Sequence, residues 1–268
     1  MVTNDYVHGY SDRERSRLHD QANTLAGILH YDTIYPAGSR VLEAGCGVGA
    51  QTIILAENSP GASITSIDIS PASVEKARAL ARRNGINDVD FKVADIFGLP
   101  FEDESFDHIF VCFVLEHLAR PAEALAALKR VLKKGGTITV IEGDHGSCYF
   151  HPESTDAKRS IQCLIDLQRS AGGNALIGRE LYPVIASAGF RDVRVSPRMV
   201  YVDASRPELV EGFTMNTFTA MVEGVRGHAL TSGMIDEQTW DRGIAGLYRT
   251  TASDGVFCYT FFKGIGIK

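Results

Sequence analysis

The chain reads as an α/β fold: a parallel, doubly wound sheet with helical additions at its start and near its end. Three observations predict this. Short apolar runs alternate with helical patterns between about residues 40 and 142, the arrangement that builds βαβ units. The runs near 40, 63 and 108 are apolar almost throughout, as strands covered on both faces require. The first run also ends in Gly45-Cys-Gly47-Val-Gly49, and Asp68 closes the second, which is the outline of a nucleotide-type βαβ unit.

Taken in order, residues 11–30 predict a helix. Ser11 and Glu14 form a capping box, and Leu18, Ala22, Leu25 and Leu29 recur at helical spacing. Tyr35-Pro36-Ala-Gly38 is a turn, strand 1 covers 40–44, and a helix follows over 50–58. Strand 2 spans 63–68. Ser70-Pro71 then gives an N-cap and a first-turn proline to a helix that Gly85 ends. Strand 3 spans 89–93 and strand 4 spans 108–112. A helix from Pro121 runs to Leu132 and stops at Gly135-Gly136, before strand 5 at 137–142. Later helices fall at 153–171, 179–188, 206–226 and 236–250, with strands at 193–202 and 256–263. These elements divide the chain into a helical lid (1–35), a ligand-binding core (36–150) and a C-terminal part (151–268) with a helical insertion at about 205–254.

The 268 residues carry a formal net charge of −6, and Lys/Arg runs do not exceed pairs such as Arg82-Arg83, which argues against a phosphate-neutralising nucleic-acid binder. The five cysteines are odd in number and lack a Cys-x-x-Cys pair, so free thiols in a reducing cytoplasm are expected. Neither a leader peptide nor an apolar run long enough to cross a membrane is read.

The glycine turn lets backbone approach a ligand without Cβ atoms in the way. Asp68 can accept hydrogen bonds from a ribose diol, or can cap the helix at Ser70. Asp95, after strand 3, can accept from an adenine amino group, with Ile96 or Phe97 covering the ring, or can be an ordinary loop carboxylate. On spacing alone the turn serves nicotinamide and S-adenosylmethionine (AdoMet) enzymes alike.

The segment from Leu99-Pro-Phe-Glu-Asp-Glu-Ser-Phe-Asp107 through Leu115-Glu116-His117-Leu118 narrows that choice. With Leu42-Glu-Ala-Gly-Cys-Gly-Val-Gly49, Asp68 and Leu132-Lys-Lys-Gly-Gly136, it resembles the class I AdoMet-dependent methyltransferases, in their small-molecule (type 11, UbiE-like) branch. Tyr10-Ser-Asp-x-Glu14-x-x-Arg17-Leu18 resembles an amino-terminal helix of a subset of these enzymes. The resemblance implies a Rossmann-like seven-stranded sheet whose last strand is antiparallel. It implies AdoMet as methyl donor and S-adenosylhomocysteine as product. The methionine part would lie against Glu43, Gly45 and Gly47, the ribose on Asp68, and the adenine near Ile69, Asp95 and Ile96. Backbone at Phe113 would lie beside the sulfonium. Tyr10, Arg17, Cys46, Gln51 and His117 complete the expected cofactor set.

In-line methyl transfer needs alignment above all, and a base only where the acceptor carries a proton. Asp144 and His145 are the candidate catalytic pair; bracing the segment after strand 5 is the alternative, and His117 can instead buttress the cofactor loop. Glu142, Tyr149, Arg198, Tyr201 and Tyr259 are the candidate acceptor-binding residues; a structural role in the edge strands is the alternative for Arg198, Tyr201 and Tyr259. Asp144, His145, Cys148 and His151 match no standard ligand spacing, so no metal is expected. The expected partner is a small-molecule acceptor, with no nucleic acid or membrane and with a homodimer left open. A non-catalytic AdoMet binder is the main alternative, and a protein or nucleic-acid methyltransferase a lesser one.

Overall fold

The computed structural model describes residues 24–268. The last turns of the expected first helix are seen as α1 (24–29), whereas its start at Ser11 and Glu14, together with Tyr10 and Arg17, lies outside the described residues. Seven strands form one sheet: β1 (Arg40–Ala44), β2 (Ser63–Asp68), β3 (Asp90–Val93), β4 (Phe106–Cys112), β5 (Leu132–His151), β6 (Arg191–Asp203) and β7 (Val256–Ile267). Their order is β3-β2-β1-β4-β5-β7-β6, with the last strand antiparallel to its neighbours. β1 pairs in parallel with β2 and β4, β2 with β3, and β4 with β5, so five carboxyl ends share one edge. The chain order reverses between β1 and β4, where doubly wound sheets open a ligand crevice.

The chain forms two compact units. The core unit holds residues 26–143, 177–198 and 261–268. Helices α2 (Ala50–Asn58), α3 (Pro71–Arg83), α4 (Pro121–Val131) and α6 (Leu181–Ser187) belong to it. Ser70 caps α3 by accepting from Ser73 N, and Pro71 follows where its missing N–H costs no helical bond. Ala124, Leu125 and Leu128 of α4 and Leu181 and Ile185 of α6 pack with Leu42, Ile109 and Ile138. Val74, Ala77 and Ala81 of α3 pack with Phe91 and Cys46. Fully buried side chains such as Leu42, Ile109 and Leu128 each stabilise the fold by roughly 2 kcal/mol.

The helix-rich unit holds residues 24–25, 144–176 and 199–260 of those described. The two units therefore interleave along the chain, where the sequence suggested consecutive parts divided near 35 and 150. Helices α5 (Thr155–Ser170), α7 (Pro207–Leu209), α8 (Ala220–Gly224), α9 (Arg226–Thr231) and α10 (Glu237–Arg249) lie in this unit. Ser154 and Asp236 cap α5 and α10 by accepting from Ala157 N and Thr239 N, and Arg242 of α10 pairs with Asp156 of α5 at 2.7 Å. Between α7 and α8, Val210–Thr219 forms a wide π-helical run that carries the buried Phe213 and Phe218. Ring contacts join Phe213 and Phe218 to Phe257 and Tyr259 of β7.

One expectation is overturned. Strand 5 does not stop at 142 and release a loop; β5 continues to His151. The segment after 142 is paired instead: the Ser147 hydroxyl accepts from Thr260 N at 2.9 Å and donates to the Asp144 carbonyl at 2.7 Å. Cross-strand partners thus outweigh the weak strand propensity of glycine and serine.

Candidate functional site

The carboxyl edge of the core unit gathers most of the predicted residues. Leaving β1, Gly45 N and Cys46 N both donate to the Ile67 carbonyl, at 2.8 and 2.9 Å, which turns the chain back over β2. Gly45, Gly47 and Gly49 all take positive φ. Gly49 brings the start of α2 against α3: a Cβ there would stand 2.9 Å from the Ala77 Cα. Gly45 lies under Val114, whose Cγ2 would overlap a Cβ and whose Cγ1 would be 3.1 Å from it. At Gly47, by contrast, a Cβ would meet nothing within 4 Å. The turn is thus packed at both ends and open in the middle.

Asp68 Oδ2 accepts from Gly47 N and Oδ1 from Ser70 N, both at 2.9 Å. It braces the glycine turn and the start of α3 together, and burial raises its pKa. Glu43, at the end of β1, is buried, and its Oε2 accepts from the hydroxyls of Thr52 and Ser66 at 2.6 Å. Burial pushes its pKa up to about 7 against those two bonds, with the Asp68 charge adding to the rise. Thr52 and Ser66 were not read from the sequence; hydroxyl residues give no periodic signal.

The Cys46 thiol is buried and its pKa is pushed far up, so it is no nucleophile at neutral pH. Gln51, in the first turn of α2, lies beside His30. Asp95 Oδ1 accepts from Phe97 N and caps the short turn Ile96–Gly98. Ile96 packs into the core, whereas Ile69, Val93 and Phe97 are exposed there. Phe97 carries the Arg120 guanidinium over its ring, 5.0 Å from the centroid.

After β4, Phe113 is a non-glycine residue at φ 57, a backbone conformation costing roughly 1–2 kcal/mol. Its N–H donates to the Ile141 carbonyl and its ring meets Phe261. His117 Nε2 lies 3.2 Å from Glu116 Oε1. Glu142 is fully buried, and its Oε1 accepts from Val114 N at 3.0 Å and Leu115 N at 2.7 Å. Those bonds engage Glu142 with the protein's own turn rather than leaving it exposed to an acceptor.

Arg198, in the same unit, is 7% exposed. It pairs with Asp32 at 2.6 Å and its guanidinium lies over Tyr31, while Lys263 pairs with the other Asp32 oxygen and with Thr33. The joining of these two buried cations on the partly exposed Asp32 was not legible: they stand 166 and 231 residues from it.

The remaining candidates lie in the helix-rich unit. His145 Nδ1 is 2.7 Å from Tyr259 Oη, and its ring meets Phe218 edge-on, so one buried pair unites two residues singled out separately. Asp144 Oδ1 accepts from Gly146 N, closing a local turn. Tyr149 and Tyr201 are exposed. Among the described residues no group of three or more His, Cys, Asp or Glu is arranged to hold a metal ion, and no helix is long and apolar enough to cross a membrane.

A family model described as a methyltransferase domain matches residues 36–189. The chain is 34% identical over 138 residues to the demethylmenaquinone methyltransferase of Clavibacter sepedonicus, a match covering 48% of this chain and 55% of that protein. It spans about half the length of the curated relatives it matches. The crystal structure of YcgJ from Bacillus subtilis superposes with a TM-score of 0.58 at 18% identity, covering 93% of this chain and 98% of that one. The phosphoethanolamine N-methyltransferase 2 of Haemonchus contortus, in complex with phosphomonomethylethanolamine and S-adenosylhomocysteine, superposes with a TM-score of 0.56 at 19% identity, covering 92% and 53%. At such identities these two structures establish likeness of fold.

Proposed function

The chain belongs to the methyltransferase domain family, and on that premise we propose that it transfers a methyl group from AdoMet to a small-molecule acceptor. One observation carries the reading: the glycine turn, Asp68 and the left-handed Phe113 converge at the β1–β4 switch point. The residues fit AdoMet. Open space beside Gly47 admits a ligand against backbone, and the Glu43 and Asp68 carboxyls give the edge an acidic character suited to a cation. Related proteins crystallised with S-adenosylhomocysteine support the choice of donor.

When bound, AdoMet supplies a methyl activated by a sulfonium, and S-adenosylhomocysteine is the leaving group. The protein's share is alignment and exclusion of water. Asp68 would hold the ribose hydroxyls while its two backbone bonds keep it in place. Glu43 and the Gly45–Gly47 turn would hold the methionine part, Ile69, Asp95 and Phe97 the adenine, and the Phe113 backbone the reacting end. Cys46, Gln51 and His117 complete the set as supports. For an acceptor that must lose a proton, His145 is the proposed base, oriented by Tyr259, with Asp144 bracing it. Tyr149 and Tyr201 are the proposed acceptor contacts, and residues 205–254 the proposed determinant of acceptor choice. A cytoplasmic protein, alone or as a homodimer, completes the proposal.

Incubating the protein with methyl-labelled AdoMet and a metabolite extract tests it. Label in the small-molecule fraction, with S-adenosylhomocysteine formed in step, is expected. Label confined to protein or nucleic acid would overturn the acceptor class, and binding without turnover would make the chain a non-catalytic binder.

A further inference from the structure

Glu142 has an occupation that its first reading as an acceptor contact does not explain. It stands on β5 beside the end of β4, fully buried, and one oxygen takes both N–H groups of the turn at Val114 and Leu115. The other oxygen, Oε2, is buried without a hydrogen-bond partner. Carrying a carboxyl into this interior costs free energy that the two bonds only partly offset, so packing alone does not account for an acidic residue here.

What the carboxyl holds is specific. The turn begins at Phe113, whose positive φ is unfavourable for any residue with a Cβ. It continues through Val114, whose methyl groups lie directly over Gly45. A chain of contacts therefore runs from Glu142 Oε1 to the Val114 and Leu115 N–H groups, then through the Val114 side chain to the first glycine of the ligand turn. Without an acceptor for those two N–H groups, only the Phe113 N–H bond to the Ile141 carbonyl and its ring contact with Phe261 would oppose relaxation of Phe113, and Val114 would be free to lift from Gly45.

We propose that Glu142 is a positioning residue: its side-chain oxygen locks the Phe113–Leu115 turn and, through Val114, the shape of the glycine turn that receives the methyl donor. The inference rests on the methyl-transfer reading for its ligand, but the lock itself is independent of it. Burial, and then the nearby Glu116 charge, raise the Glu142 pKa well above the usual carboxylate range, which favours the neutral acid. Glutamine, neutral and of equal length with a carbonyl oxygen in the same place, is therefore the close mimic. Aspartate withdraws the oxygen by one methylene, and leucine removes it.

The test compares Glu142→Gln, Glu142→Asp and Glu142→Leu in the full chain. Hydrogen exchange of the peptide spanning residues 110–118 reads the lock, and calorimetry with S-adenosylhomocysteine reads its consequence. Glutamine should keep slow exchange and wild-type affinity. Aspartate and leucine should speed exchange at Val114 and Leu115 and weaken S-adenosylhomocysteine binding roughly tenfold or more, the scale expected from losing hydrogen bonds to a buried turn. If leucine does not fold, the aspartate and glutamine pair still decides. Wild-type exchange and affinity in the aspartate variant, or equal losses in glutamine and aspartate, would overturn the proposal. Failure of the wild-type protein to bind S-adenosylhomocysteine would instead defeat the methyl-transfer reading, while the exchange data would still decide whether Glu142 locks the turn.

Discussion

Gly45→Ala probes the contact between the ligand turn and the end of β4. Two costs add at this position. Gly45 has φ 82, where an alanine is disfavoured by about 1–2 kcal/mol. The new Cβ would also overlap Val114 Cγ2 and stand 3.1 Å from Cγ1, an overpacking worth about 1–3 kcal/mol. The single variant should therefore lose about 2–5 kcal/mol. Val114→Ala removes both methyl groups and leaves only the Val114 Cβ, 3.4 Å away, at ordinary contact. Alone it should cost about 1 kcal/mol, because Val114 is only partly buried. In the double variant the steric part disappears while the backbone part stays, so the two changes should couple by about 1–3 kcal/mol. Urea denaturation of the four proteins, followed by circular dichroism, measures this directly. Additive losses, with coupling below about 0.5 kcal/mol, would refute the claim that Val114 rests on Gly45.

Two buried groups should give opposite pH slopes. Glu43 rises from 4.5 to about 7, so the native state holds the extra proton in that window and stability falls as pH increases through it, by roughly 3 kcal/mol in all. His30 falls from 6.5 to about 4, chiefly through burial, so the unfolded chain holds the extra proton and a similar stability is lost as pH decreases through that window. The two contributions oppose each other between about pH 4.5 and 6.5. Relative to the wild type, in which Glu142 adds a fall of its own, Glu43→Gln should tilt the stability profile upward with pH there and His30→Gln should tilt it downward, measured by denaturation across pH; parallel profiles in the two variants would sink both assignments. Asp32→Asn should cost about 2–4 kcal/mol, since Lys263 and Arg198 would keep buried charge without their carboxylate. A wild-type melting temperature would show the trio to be energetically idle.

The first half of the fold was legible because its signals are local. Ser70-Pro71 marks the start of α3 with a cap that the structure contains, and the fully apolar runs near 40, 63 and 108 mark strands with neighbours on both sides. The same holds for the glycine turn and Asp68, whose residue types and order carry the motif. Legibility ended where partners are remote. β5 continues past Glu142 because β7 supplies partners such as Thr260, more than a hundred residues on. The π-helical run at Val210–Thr219 has no sequence signature that separates it from an α-helix. Glu142 and Arg198 looked like acceptor contacts because charged residues near a predicted site invite that reading; only tertiary placement reveals that a buried turn engages one and Asp32 the other. His145 and Tyr259 were each noticed, but their pairing across 114 positions was beyond any local rule.

The central claim is that the β1–β4 edge receives AdoMet, with Asp68 holding its ribose. Titration calorimetry of S-adenosylhomocysteine into the wild-type chain and into Asp68→Ala tests it most directly. The account predicts a single saturable site in the wild type and loss of binding in a variant that remains folded. Tight binding of NADH with none of AdoMet or S-adenosylhomocysteine, or unchanged S-adenosylhomocysteine affinity in Asp68→Ala, would contradict it.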